Sequence, residues 1–114
     1  MELEPDDPER ERKAHILVRM SELGAFCWNS PTGMFRTLGH PGHRVRVGIP
    51  GGPDTMALFP PHGKFVAVEV KRPGGRQSDD QRKWERRCHS VGASYILVHD
   101  IPELETRLRE VGAI

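Results

Sequence analysis

Asp54, Glu69 and Lys71 are the residues whose types and spacing could do chemistry together. Asp54 closes the stretch GIPGGPD (48–54) and stands directly before an apolar run; Glu69 and Lys71 lie in FVAVEVK (65–71). A carboxylate at the mouth of a buried strand is costly unless a partner or a metal compensates it. In a strand the side chains alternate, so Val66, Val68 and Val70 share one face, and Phe65, Ala67, Glu69 and Lys71 the other. If residues 54–59 and 65–71 form a hairpin through PPHGK, the start of the first faces the end of the second, and Asp54 comes close to Glu69 and Lys71. Two carboxylates offer the hard oxygen ligands that Mg²⁺ or Mn²⁺ prefers, with room for a phosphate. Such a metal activates water and stabilises charge on a scissile phosphate, and a lysine orients the nucleophile or neutralises developing charge. Each feature alone has a plainer explanation. Glu-x-Lys on a half-exposed strand is commonly an ion pair of little consequence, and Pro-Asp after glycines is commonly turn chemistry.

These residues need elements to position them. A first helix is expected from Pro8, with Asp7 as N-cap, an apolar stripe at Ile16, Leu17, Met20 and Leu23, and Gly24 as its end. AFCW (25–28) reads as a short strand, residues 29–43 as a surface loop rich in Gly, Pro, Ser and Thr, and RVRV as extended. Two strands follow at 54–59 and 65–71, then a loop, RPGGRQ. A second helix is expected over 78–91, where Ser78-x-x-Gln81 is a capping box that suffices to explain Gln81 without chemistry. YILVH (95–99) reads as a strand, and a terminal helix starts at Pro102. The order predicted is αβββαβα, an α/β fold with a mixed sheet flanked by helices.

At 114 residues the chain is expected to be one domain, 1–114, with residues 1–7 flexible. No apolar run reaches the length of a membrane span, and the acidic start (MELEPDDPER) argues against a targeting segment. Cys27 and Cys88 form no CxxC pair, which fits reduced thiols in a cytoplasmic protein. The net charge of +1 hides a segregation of signs: residues 29–53 hold three arginines and no acid, and residues 64–87 eight Lys/Arg against four acids. Clusters of this kind suit a polyanion.

The set GIPGGPD (48–54), VEVK (68–71) and SDDQRKW (78–84), followed by a glycine and a β-branched strand, resembles the virus-type replication-repair nuclease (VRR-NUC) domain. That domain belongs to the PD-(D/E)XK superfamily, whose core is restriction-endonuclease-like. The resemblance runs over nearly the whole chain, from about Glu9 to Val111. It implies a metal-dependent nuclease in which Asp54, Glu69 and the Val70 carbonyl bind Mg²⁺ or Mn²⁺, Lys71 assists the attack, and Gln81 supports the site from the second helix. An acid of the first helix normally completes such a site; Glu9 fits by its distance from Gly24, with Glu11 as the alternative. Many members carry a Gln shortly after that acid, where this chain has Lys13. Short members are typically of phage or bacterial type and act as homodimers on branched DNA such as four-way junctions.

Arg36, Arg44 and Arg46 in the acid-free stretch, with Arg72 and Arg76 in the second loop, are the expected phosphate contacts. Other signals are weaker. His40 and His43 lack further ligands for a zinc site; Trp28 and Trp84 could stack on bases, although at strand or helical spacing each is more often core. The competing reading from another class is a DNA-binding module that keeps the fold without catalysis. A dimer could use Leu104, Leu108 and Val111, or AFCW, although each of these also fits a core position.

Overall fold

A computed structural model of the protein describes residues 3, 7–30, 33–36, 44–47, 51–53 and 55–114, with 33–36 and 44–47 as strand backbone. Helix α1 (Glu9–Glu22) buries Arg12, Ile16 and Met20, one residue per turn along a single stripe. Its N-cap is Pro8 rather than the expected Asp7, and no side chain caps it. Pro8 is extended (ψ 150°), so Asp7 stands one residue too far out to reach the first helical amides. At the other end Gly24 takes φ +95°, and Ala25 N–H donates to the Met20 carbonyl at 3.0 Å, closing the helix in the left-handed turn that glycine permits.

Strands β1 (Phe26–Asn29), β4 (Thr55–Phe59), β5 (Lys64–Val70) and β6 (Ser94–Val98) form one sheet in the order β1-β4-β5-β6. β1–β4 and β4–β5 are antiparallel; β5–β6 is parallel, the crossover being helix α2 (Asp79–Ser90). The connections and the mixed sheet are those expected, with one addition. Gly33–Arg36 is a strand, β2, paired antiparallel with β3 (Arg44–Val47) in a separate two-stranded ribbon. The glycines and proline around it read as loop, but Met34 and Phe35 acquire a strand partner in RVRV, and cross-strand hydrogen bonding overrides local composition.

β5 is covered on both faces. Val66, Val68 and Val70 pack with Ile16 and Met20 of α1 and with Leu104 and Leu108 of α3 (Ile101–Glu110). Ala67 packs on the other side with Tyr95 and Cys88, under α2. Leu104 and Leu108 are wholly buried, so they are core and not a surface for a second subunit. Both cysteines are free, and burial raises the pKa of each thiol. Among the described residues no helix is long and apolar enough to cross a membrane.

Candidate nuclease site

The site is built at the C-terminal end of β5. The register Thr55↔Val68 ends the β4–β5 ladder one residue short of Glu69, and the alternation of β5 turns Glu69 to the α2 side, where it is fully buried. A carboxylate so enclosed needs polar partners. Gln81 Nε2 donates to Glu69 Oε1 at 2.9 Å, and the Tyr95 hydroxyl lies 3.4 Å from Oε2. Lys71 Nζ is 3.7 Å from Oε1, its side chain mostly buried. Lys71 N–H also donates to the Val98 carbonyl at 3.0 Å, which fixes the backbone just past Val70 against the end of β6.

Gln81 is the residue for which sequence left two roles open, and its side chain makes both contacts. Its Oε1 accepts from Ser78 N–H at 2.8 Å, and its own N–H donates to Ser78 Oγ at 3.1 Å, the reciprocal pair that starts α2. The remaining amide N–H group points at Glu69. The capping box therefore orients the very amide that holds the carboxylate.

The glycines before Asp54 have an equally definite use. Gly51 has φ +75°, and a Cβ built there would lie 2.3 Å from the carbonyl carbon of Asp80. No side chain fits at that position, and the loop presses directly on the first turn of α2 beside Gln81. Gly52 and Pro53 are buried behind it. Asp54 itself lies outside the described residues; Thr55, which follows it, is anchored by its pairing with Val68 and by its hydroxyl, 3.1 Å from Asn29 Oδ1.

Two contributors were not legible as functional residues in the sequence. Tyr95 approaches Glu69 because β6 pairs in parallel with β5, Tyr95 opposite Ala67, two residues before the carboxylate. Its phenol is pushed above the usual tyrosine range, first by burial and then by the negative charge of Glu69. Arg12 is almost wholly buried, donating from Nε to the Asp7 carbonyl at 3.2 Å and from Nη1 to the His99 carbonyl. This ties the first turn of α1 to the end of β6, the same end of the sheet at which β5 delivers Glu69 and Lys71. Its signal was its place on the Ile16–Met20 stripe. Glu9, on that turn, is half-buried and 3.5 Å from Lys13; Glu11 is exposed.

The expected phosphate contacts fall into two groups. Arg72 and Arg76 are exposed on the loop between β5 and α2. Arg36 pairs with Arg44 and Met34 with Arg46 in the β2–β3 ribbon, so positions 34, 36, 44 and 46 share one face of it. His40 and His43 lie outside the described residues. Among the described residues no three His, Cys, Asp or Glu side chains come together as a metal site.

A mixed four-stranded sheet flanked by helices, with acid, amide and amine gathered at the end of a central strand, is the architecture of a restriction-endonuclease-like α/β protein. The family model of the VRR-NUC domain matches residues 25–99, and the chain belongs to that family. A solved structure of a VRR-NUC domain superposes with a TM-score of 0.62 at 22% identity, over 90% of this chain and 94% of that one. No curated protein matches the chain. The domain is thus a nuclease-type, DNA-processing module. The family match begins at residue 25, after α1, so Glu9 and Arg12 stand outside it.

Proposed function

We propose that the protein is a divalent-metal-dependent DNA endonuclease that hydrolyses phosphodiester bonds, with branched DNA such as four-way junctions as its substrate and a homodimer as its working form. The observation that carries this reading is the buried Glu69, gripped by Gln81 and neighboured by Lys71, in a chain of this family. The donor set suits Mg²⁺ or Mn²⁺: a buried carboxylate, a backbone carbonyl at Val70, and Asp54 one residue before the anchored Thr55, all hard oxygen donors. Glu9 is the fourth candidate ligand. When bound, the ion supplies a hydroxide-like water and stabilisation of charge on the phosphate.

The chain's own residues do the rest. Gln81 and Tyr95 hold the Glu69 carboxylate in one orientation through Oε1 and Oε2. Lys71, already close to Glu69, places a positive charge where the attacked phosphate gathers negative charge. Arg72 and Arg76, with Arg36, Arg44 and Arg46, bind flanking phosphates and position the strand without reading its bases.

The test is cleavage of duplex, flap and four-way-junction DNA in Mg²⁺, Mn²⁺ or Ca²⁺, by wild type and by Asp54→Asn. Cutting by wild type in Mg²⁺ or Mn²⁺, fastest on the junction and lost in the variant, supports the reading. DNA binding with no cleavage in any metal identifies instead a binding module that keeps the fold. Sedimentation at the concentrations used for cleavage reads the oligomeric state, and a monomer with full junction activity removes the dimer from the proposal. Binding across a salt series reads the arginines: each phosphate contact adds about 0.9 to the slope on duplex DNA. An unchanged slope in Arg72→Ala/Arg76→Ala would show that this loop does not hold the DNA.

A further inference from the structure

Among the described residues, helix covers only half of the sheet face that carries Glu69. Helix α2 packs over β6, and its Trp84 packs against the cluster of Ala67, Cys88 and Tyr95; among the described residues no helix lies on the β1–β4 half of that face. The register identifies what that half displays. Phe26 stands opposite Leu58, and Trp28 opposite Met56, which in turn is opposite Ala67. Phe26 is 72% exposed, and its ring centroid lies 5.5 Å from that of Trp28 at an interplanar angle of 60°. Trp28, Met56 and Leu58 are each partly exposed. Two aromatic rings on the edge strand β1, with a thioether beside them on β4, are an unusual surface to leave open to water.

We infer that this aromatic face is a stacking platform for the unpaired bases of a DNA strand whose phosphate backbone passes Glu69; the inference rests on the nuclease reading and adds that the substrate must present single-stranded bases next to the cut. Its place in the fold selects this occupant. Trp28 is two strands from Ala67, and Glu69 is two residues further along the same face. At strand spacings of about 4.8 Å and a rise of about 3.3 Å per residue, Trp28 and Glu69 are about 12 Å apart. A few nucleotides of a single strand span that distance. Bases paired inside a duplex hide their faces, and only an unpaired segment can lay them on Phe26 and Trp28. Stacking of this kind tolerates any base, because every base has a π-face, so the platform would select a structure and not a sequence. A flap, a gap or the open centre of a junction offers such bases; an intact duplex does not.

The experiment is fluorescence anisotropy of labelled DNA in EDTA, comparing a splayed-arm duplex, a blunt duplex of equal length and a short oligothymidylate. Wild type is expected to bind the splayed-arm DNA and the oligothymidylate more tightly than stacking-free contacts allow, with a clear margin over the blunt duplex. Phe26→Ala/Trp28→Ala should erase about tenfold or more of that margin and leave blunt-duplex binding unchanged. Trp28→Phe should keep most of it, because the ring remains. Phe26→Ala alone, at an exposed position that bears little on folding, should remove part. No margin in wild type overturns the platform, as does a margin that survives in the double variant or a loss of equal size on the blunt duplex. A dimer-to-monomer change in the double variant with unaltered DNA binding also overturns it, by making the face a self-association surface. Cleavage of the same substrates in Mg²⁺ separates the two readings. A wild type that binds with the margin but never cuts refutes the nuclease and keeps the platform; one that cuts without any margin does the reverse.

Discussion

The two faces of β5 differ in what a strand can be used for. On the α1–α3 face, Val66, Val68 and Val70 are wholly buried in a largely apolar cluster, where the buried Thr55 opposite Val68 brings a hydroxyl but no charge. On the α2 face the same strand carries Ala67, then Glu69, and its neighbours there are Gln81, Tyr95 and Lys71. Both faces are equally enclosed at residues 66–70, so burial does not distinguish them. Chemistry does. The aliphatic face supplies the free energy that allows the other face to bury a carboxylate, which no isolated hairpin could sustain.

The sharpest way to break the comparison is to alter one residue on each face. Under the proposed function, in which Glu69 is a metal ligand, Glu69→Gln is expected to lower cleavage at least about 100-fold through loss of several kcal/mol of transition-state stabilisation, while the thermal midpoint changes little. Val68→Ala should do the opposite, costing about 2 kcal/mol of stability through lost burial and a residual cavity, with the folded fraction as active as before. Single-turnover cleavage and urea denaturation on both variants read the two effects separately. An active Glu69→Gln protein would remove that residue from the site.

A smaller effect is expected at Gln81, where the structural and site contacts meet in one side chain. Gln81→Ala should lose about 1 kcal/mol of helix-start stability and also slow cleavage. Gln81→Glu keeps the capping box, since either residue serves at that position, but sets a second carboxylate against Glu69. It should therefore slow cleavage at least as much as Gln81→Ala. If Gln81→Glu keeps the wild-type rate, the contact with Glu69 matters only to the fold.

The smallest effect belongs to Tyr95. Tyr95→Phe removes one hydroxyl from Glu69, about 1 kcal/mol at most, so a few-fold loss of rate is expected. Its pH signature is more telling. The folded protein holds this phenol above its usual range, so the contribution to stability is complete below about pH 10, the unfolded value, and is lost as pH rises through the folded value. Tyr95 is the chain's only tyrosine, so tyrosinate absorbance follows it alone. Ionisation in the native protein at the ordinary pH would show that the phenol is not held there. Urea denaturation at rising pH should show less alkaline loss in Tyr95→Phe than in wild type.

The readable parts of this molecule were those governed by local rules. Alternation along FVAVEVK placed Val66, Val68 and Val70 opposite Glu69 without any knowledge of partners, because a strand has a period of two wherever it sits. Ser78-x-x-Gln81 predicted the start of α2 for the same reason: the box closes within four residues. The expectation at Asp7 failed where one residue of offset mattered, since an extended Pro8 took the cap position itself. β2 failed differently. Its partner lies across the 37–43 segment, and local composition says nothing about a pairing made at that separation.

What the sequence by itself determined is therefore the inventory: two carboxylates, an amine and an amide on elements whose kinds and order are encoded by periodicity, capping and turn residues. Only the tertiary structure decided which of them meet. The parallel register of β6 on β5 brings the Tyr95 hydroxyl to Glu69. Arg12, a charged residue in a helix, became a buried tie between α1 and the end of β6. Gly51 became indispensable because another helix's backbone stands where its side chain would be. Each of these contacts joins residues far apart in the chain. Periodicity and capping act over a turn or two of backbone, whereas these approaches are set by how whole elements pack, and no short-range pattern records that distance.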